Sequence, residues 1–170
     1  DWSGFAEGFR RGLPGAKLDR VVLLGAGGAG AAVAHAAITL GVRELKIFDL
    51  DAIRSTELAA KLGSRAKAGT DLSAAMAGAD GLIHCTPTGM AKMPGMPLDA
   101  TLLNAKHWVA EIVYFPMETE LLRVARAKGC RTVDGGGMMV FQAAGAFRLF
   151  TGIEPDAERM RRNFLSMDAG

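Results

Sequence analysis

The sequence predicts a doubly wound parallel α/β sheet, and three observations carry that expectation. Short apolar runs alternate with alanine-rich or amphipathic stretches of helical length along the whole chain. The connections between them are short, which favours right-handed strand–helix–strand crossovers. A glycine cluster, Gly25 to Gly30, separates the first apolar run from the first long helix. A length of 170 residues bounds the answer to a single domain. A chain of this size buries roughly 70% of its unfolded surface and needs no staple.

The elements follow in order. Residues 2–11 read as a short helix with Phe5 and Phe9 four apart on one face, ended by Leu13-Pro14-Gly15. Residues 19–24 include Val-Val-Leu-Leu, a run without alternation that suits a strand covered on both faces. Alanine-rich residues 28–40 read as a helix stopped by Gly41. A second strand at 44–49 leads to a helix at 53–62. A short third strand at 65–68 leads to a short helix at 72–77. Residues 81–85 are the fourth strand. Pro87, Pro94 and Pro97 make residues 86–100 a loop. A fifth strand at 108–113 precedes a helix at 118–128 closed by Gly129, then a sixth strand at 130–133. Two helices, 138–150 and 155–165, end the pattern. Residues 1–170 thus form one domain, with 1–18 as a linker helix and 138–167 as closing helices.

Composition excludes several classes. At 49% hydrophobic and 22% charged residues the chain is not a disordered one. A net charge of +2, from 20 basic and 18 acidic residues, is too weak for nucleic acid. No apolar run reaches the ~20 residues of a membrane span. Two cysteines, Cys85 and Cys130, make no disulfide framework and place the chain in a reducing compartment, the cytoplasm. Both read as small buried residues rather than nucleophiles. The three histidines and scattered acids lack metal-ligand spacing. His35 and His107 read as structural or solvated. His84, near the carboxyl end of the fourth strand, invites a general-base reading. Arg159, Arg161 and Arg162 read as a solvated helix face.

Gly25-Ala26-Gly27-Gly28-Ala29-Gly30 fits Gly-x-Gly-x-x-Gly between a buried strand and a helix. Gly25 allows the tight turn, Gly27 lets backbone approach a pyrophosphate, and Gly30 packs the helix close to the sheet. Gly28 and Ala29 open the helix, whose free N–H groups and dipole face the anion. Asp49 ends the second strand 49 − 30 = 19 residues after the last glycine. A carboxylate there accepts hydrogen bonds from ribose hydroxyls and repels a 2′-phosphate, so NAD is favoured over NADP. Arg54 admits two readings, a 2′-phosphate contact or a solvated helix residue.

The chain resembles the C-terminal, cofactor-binding half of the shikimate and quinate/shikimate dehydrogenases. The resemblance rests on Gly25–Ala29 (GAGGA), on Thr86-Pro-Thr-Gly-Met90, and on Val113-Tyr114 with Pro116 and Thr119-Glu-Leu-Leu122. Gly135, Met138, Gln142, Phe147 and Thr151-Gly152 match the closing motif. Asp1-Trp-Ser-Gly-Phe looks like the tail of an Asn-Thr-Asp-x-x-Gly-Phe segment, so the chain reads as part of a longer protein, cut near the hinge to a substrate domain. NADP-linked members usually carry Asn-Arg-Thr after the second strand. Asp49-Leu50-Asp51 here looks like the NAD-linked branch.

This resemblance implies a Rossmann-type domain of an enzyme that interconverts quinate or shikimate and their 3-dehydro forms by hydride transfer to NAD. It implies Asp1 as the carboxylate of a Lys–Asp catalytic pair. No lysine here sits in a matching motif, so the domain alone is expected to be inactive. Asp1, Tyr114 and Gln142 are implied to bind the hydroxy-acid substrate. Thr86, Thr88, Met90, Ile112, Gly135 and Met138 are implied at the nicotinamide end, beside Gly25, Ala26, Gly27, Gly28, Ala29, Asp49, Leu50 and Arg54 at the other. His84-Cys85 stands where the family often has Asn-Ala, and Glu111 where Asp is usual. A non-catalytic NAD sensor or scaffold is the competing reading. A methylenetetrahydrofolate dehydrogenase or glutamyl-tRNA reductase domain fits the Gln142 motif less well.

Overall fold

The Val-Val-Leu-Leu run forms β1 (Arg20–Leu24), buried from its second residue on. The computed structural model describes residues 2–167. Around β1 stand β2 (Glu44–Phe48), β3 (Ala66–Ala68), β4 (Gly81–His84), β5 (Trp108–Glu111) and β6 (Arg131–Val133). They make a six-stranded sheet of order β3-β2-β1-β4-β5-β6 with every pair parallel. The helices are α1 (Trp2–Gly12), α2 (Gly28–Leu40), α3 (Ala52–Leu62), α4 (Leu72–Gly78), α5 (Glu120–Ala127), α6 (Gly135–Thr151) and α7 (Ala157–Met167). A short 3-10 turn, Ala100–Leu102, interrupts the proline-containing loop and was not anticipated. Asp99 creates it by accepting from the Thr101 N–H and hydroxyl.

Period-two geometry divides the core. Val21 and Leu23 join one cluster with Phe5, Phe9, Val33 and Ile47, while Val22 and Leu24 join another with Met76, Leu82 and Leu121. Each such fully buried aliphatic side chain contributes about 2 kcal/mol of transfer free energy. Phe9 also meets Trp108 edge-on at 4.9 Å between centroids, which anchors α1 to the sheet. The strand order reverses between β1 and β4. A crevice for a ligand opens there at the carboxyl ends of the strands.

The boundary furthest from expectation is the start of α6; the fifth strand also stops at Glu111 rather than 113, and the helices expected from 118 and 155 begin at Glu120 and Ala157. α6 begins at Gly135, not Met138, so the glycine cluster is its first turn. Asp134 caps it by accepting the Gly136 N–H at 3.0 Å. Glycine is used there because other backbone comes close. A Cβ on Gly135 would lie 2.5 Å from the Ile112 carbonyl oxygen. A seam of Gly4, Gly8 and Gly12 on α1 faces α6 and β6. A Cβ on Gly4 would lie 2.7 Å from the Met138 carbonyl oxygen, and one on Gly12 2.7 Å from Val133 Cγ2.

Candidate functional site

The crevice has two halves. The first is made of backbone. β1 runs into Gly25, whose φ of +98° is open to glycine and strained for other residues. A Cβ on Gly25 would lie 2.6 Å from the Cys85 carbonyl oxygen, and one on Gly30 1.9 Å from the Gly25 carbonyl oxygen. The turn is therefore wedged between β4 and its own helix. Gly27 and Gly28 are the opposite case, since nothing stands within 4 Å of a Cβ on either. They face open space where a ligand can approach the chain. No side chain caps α2 at Gly27, so its first-turn N–H groups are left for an anion. These features fit a dinucleotide pyrophosphate.

Asp49 lies at the edge of this turn. Its Oδ2 accepts the Ala26 N–H at 2.7 Å and its Oδ1 accepts the Asp51 N–H at 2.9 Å. Burial opposes its ionisation, but those N–H bonds and the nearby Arg54 outweigh it and hold the carboxyl below its usual range. Asp51 caps α3 by accepting the Ile53 N–H, and its other oxygen pairs with the Arg54 guanidinium at 3.6 Å. Leu50 is fully exposed. Gly25, Gly27, Gly28, Ala29, Asp49, Leu50, Arg54 and Thr86 share one cleft of about 540 Å³. Eight residues expected at the cofactor are thus brought together. Ala26 serves the same turn through its N–H.

The second half is walled by side chains. Ala29, Thr86, Met90, Ile112, Val113 and Tyr114 line a cleft of about 440 Å³ that is largely apolar. Tyr114 stands among them. Thr88 supports this wall through its N–H to Thr86 Oγ1 at 3.3 Å. Gly135 lies under the Ile112 and Val113 carbonyls. Met138 packs at the edge of the first core, and Gln142 is exposed on α6 beside Gly4. Neither lines these two clefts. Asp1 lies outside the described residues.

Beneath the second half lies a buried polar chain. His84 and Glu111 are register partners on β4 and β5, with side chains 0% exposed. His84 Nδ1 lies 2.8 Å from Glu111 Oε1 and 3.0 Å from Oε2. Nδ1 is shared between both Glu111 oxygens, the arrangement of an N–H donor facing a carboxylate. Glu111 also accepts the Val113 N–H and the Thr119 hydroxyl, each at 3.0 Å. Thr119 in turn caps α5 by accepting the Leu122 N–H. His84 Nε2 meets Thr86 Oγ1 at 2.5 Å. Glu111 stands out in the sequence as a departure and Thr119 as part of a motif, but neither carries a site role there. The available signal was that His84 and Glu111 both depart from the pattern the chain otherwise follows.

Other candidates are structural. Burial pushes the Cys85 thiol far up, with Glu111 adding to it, and burial raises Cys130 as well. Neither is a thiolate nucleophile. His107 donates Nε2–H to the Met76 carbonyl at 2.9 Å and accepts the Asn104 N–H at Nδ1. No group of three or more potential metal ligands occurs among the described residues. No helix among them is long and apolar enough to cross a membrane.

Comparison with known proteins agrees with this geometry. A family model for the shikimate 5′-dehydrogenase C-terminal domain matches residues 135–162. The shikimate dehydrogenase (NADP(+)) of Arthrobacter sp. strain FB24 is 57% identical over 99% of this chain and 60% of that enzyme. The quinate/shikimate dehydrogenase (NAD(+)) of Corynebacterium glutamicum strain R is 50% identical over 98% of this chain and 62% of the relative. The solved structure of quinate dehydrogenase from Corynebacterium glutamicum in complex with NAD superposes with a TM-score of 0.94 at 48% identity, covering 97% of this chain and 61% of that one. The chain therefore spans about 60% of the length of the curated relatives it matches.

Proposed function

The chain belongs to the shikimate and quinate/shikimate dehydrogenase family, and from that premise we propose that it is the NAD-binding domain of a quinate/shikimate dehydrogenase. The reading is supported above all by Asp49, an ionised carboxylate held by the glycine turn in the same cleft, where it is suited to accept from ribose hydroxyls. Two carboxylates, Asp49 and Asp51, stand there against one guanidinium, and Asp51 already engages that guanidinium. A 2′-phosphate would meet net repulsion, while ribose hydroxyls would find an acceptor. Leu50 offers a phosphate no charge.

Bound NAD supplies the hydride acceptor for alcohol oxidation. The chain's own residues do the rest. The uncapped start of α2 and the open backbone at Gly27 and Gly28 hold the pyrophosphate. The apolar cleft of Met90, Ile112 and Tyr114 seats the ring and excludes water. The substrate is a quinate- or shikimate-like hydroxy acid, reached from Tyr114 and from Gln142. The proton-accepting lysine, with most of the substrate site, belongs to the part of such enzymes that this chain does not span, and Asp1 serves beside it. The outer end of α6 carries exposed Phe147, Leu149 and Phe150, and Ile153 follows just beyond it, an apolar patch suited to packing against that substrate domain.

The test is steady-state kinetics of the full-length protein with NAD and NADP on quinate and shikimate. Asp49→Asn with Leu50→Arg is expected to raise the NADP:NAD ratio of kcat/KM about tenfold, the size of one charge-assisted contact. An unchanged ratio would show that these positions do not read the ribose. NAD binding without turnover on either substrate would favour the sensor or scaffold reading instead.

A further inference from the structure

The buried His84–Glu111 pair does no work in the reading above, yet it is the most polar feature of the core. Its position is specific. Through Nε2 it reaches Thr86, at the head of the loop that walls the cofactor cleft. Through the Glu111 carboxylate it reaches Val113 and Thr119, the two ends of the loop that carries Tyr114. Both loops are thereby tied to one hub under the second cleft. Thr86 itself shows how the hub acts. With its hydroxyl turned down to His84, its methyl stands 3.1 Å from where a Cβ on Gly25 would be, against the glycine turn. One hydrogen bond thus sets which group of Thr86 faces each side. Every buried side-chain nitrogen and oxygen among the described residues is hydrogen-bonded, so loss of one member leaves another buried and unpaired.

We infer that His84 and Glu111 are positioning residues that act through Thr86 and the Val113–Thr119 loop to fix the nicotinamide end of the bound dinucleotide. This inference rests on the NAD-binding reading. The adenosine end is built on β1, β2 and α2 and meets the hub only through the Thr86 methyl, which Thr86→Val and His84→Asn both keep, so in these variants the two ends respond separately. Thr86→Val keeps a methyl against Gly25 and deletes the hydroxyl. Thr86→Ser keeps the hydroxyl and deletes the methyl. The two variants separate the hydrogen bond from the packing.

The experiment is calorimetric titration of the full-length protein with NADH and with ADP-ribose, which lacks the nicotinamide. Thr86→Val and His84→Asn are each expected to weaken NADH about tenfold, the worth of one buried hydrogen bond. In His84→Asn, ADP-ribose affinity stays within about twofold of wild type, by the same conversion, and in Thr86→Val it falls by less than NADH affinity does. Thr86→Ser loses clearly less NADH affinity than Thr86→Val, because it keeps the hydroxyl that meets His84. The Thr86→Val/His84→Asn double variant is no weaker than the weaker single, because both cut the same chain. If His84→Asn fails to fold, the Thr86 pair decides alone. Equal losses for NADH and ADP-ribose, or Thr86→Val behaving like Thr86→Ser, would overturn the inference. A wild type that binds neither ligand would overturn the NAD-binding reading itself, and this inference with it.

Discussion

The two halves of the crevice are built from different material. The half at the glycine turn consists of main-chain N–H groups, glycines that admit close approach, and one carboxylate held by backbone. The half at Met90, Ile112 and Tyr114 depends on side chains steered from below by a buried hydrogen-bonded pair. Backbone construction is local, since six consecutive residues make the turn. Side-chain construction is not, since His84 and Glu111 are 27 residues apart and meet only because β4 and β5 pair in one register. A local device tolerates changes elsewhere in the fold. A device spread over two strands and two loops is sensitive to each of them.

The largest expected effect tests that sensitivity. Glu111→Ala leaves His84, Val113 N–H and the Thr119 hydroxyl without their buried partner. A loss of about 4 kcal/mol is expected, or roughly 12 °C in Tm for a domain of this size. Thermal melting reads it, and a loss below about 1 kcal/mol would mean that the hub is not a structural unit. In the other half, Gly30→Ala drives a Cβ into the Gly25 carbonyl oxygen, a main-chain atom that cannot rotate away. About 3 kcal/mol of destabilisation is expected, together with loss of both NADH and ADP-ribose binding in titrations. If ADP-ribose still binds at wild-type strength, the turn is softer than its backbone construction implies.

The smallest effect contrasts the two buried histidines. His84 has a carboxylate partner, whereas His107 at the opposite end of the strands has only backbone partners. Burial lowers the pKa of His107 from 6.5, the Met76 carbonyl and Asp80 opposing and Lys106 assisting. Below pH 6.5 the unfolded chain therefore binds more protons than the folded one. Stability from this site is complete above that pH and declines as pH falls toward the lowered folded value. His107→Gln is expected to flatten the decline in Tm between pH 7 and 5 by about 2 °C. A slope identical to wild type would remove His107 from the acid response.

Local signals account for what was readable in the sequence. β1 was legible as an unbroken apolar run, α2 as an alanine-rich stretch ended by Gly41, and the glycine turn as a motif in its strand–helix context. The spacing to Asp49 placed it at the same turn because the intervening α2 and β2 have fixed lengths. Where reading stopped, the reason was distance. The start of α6 is not legible because three glycines look like a loop until α1 and the Ile112 and Val113 carbonyls, just past β5, are seen to press on them. Gly4, Gly8 and Gly12 carried a four-residue spacing, but their partner helix lies more than a hundred residues along the chain.

Sequence by itself thus determined the layered α/β architecture, the glycine turn and the acidic residue beside it, since each depends on neighbours within one or two strand–helix units. Tertiary structure alone decided that His84, Glu111, Thr86 and Thr119 form one buried chain. Period-two alternation put His84 and Glu111 on the same face of the sheet, but strand order and register had to put them side by side.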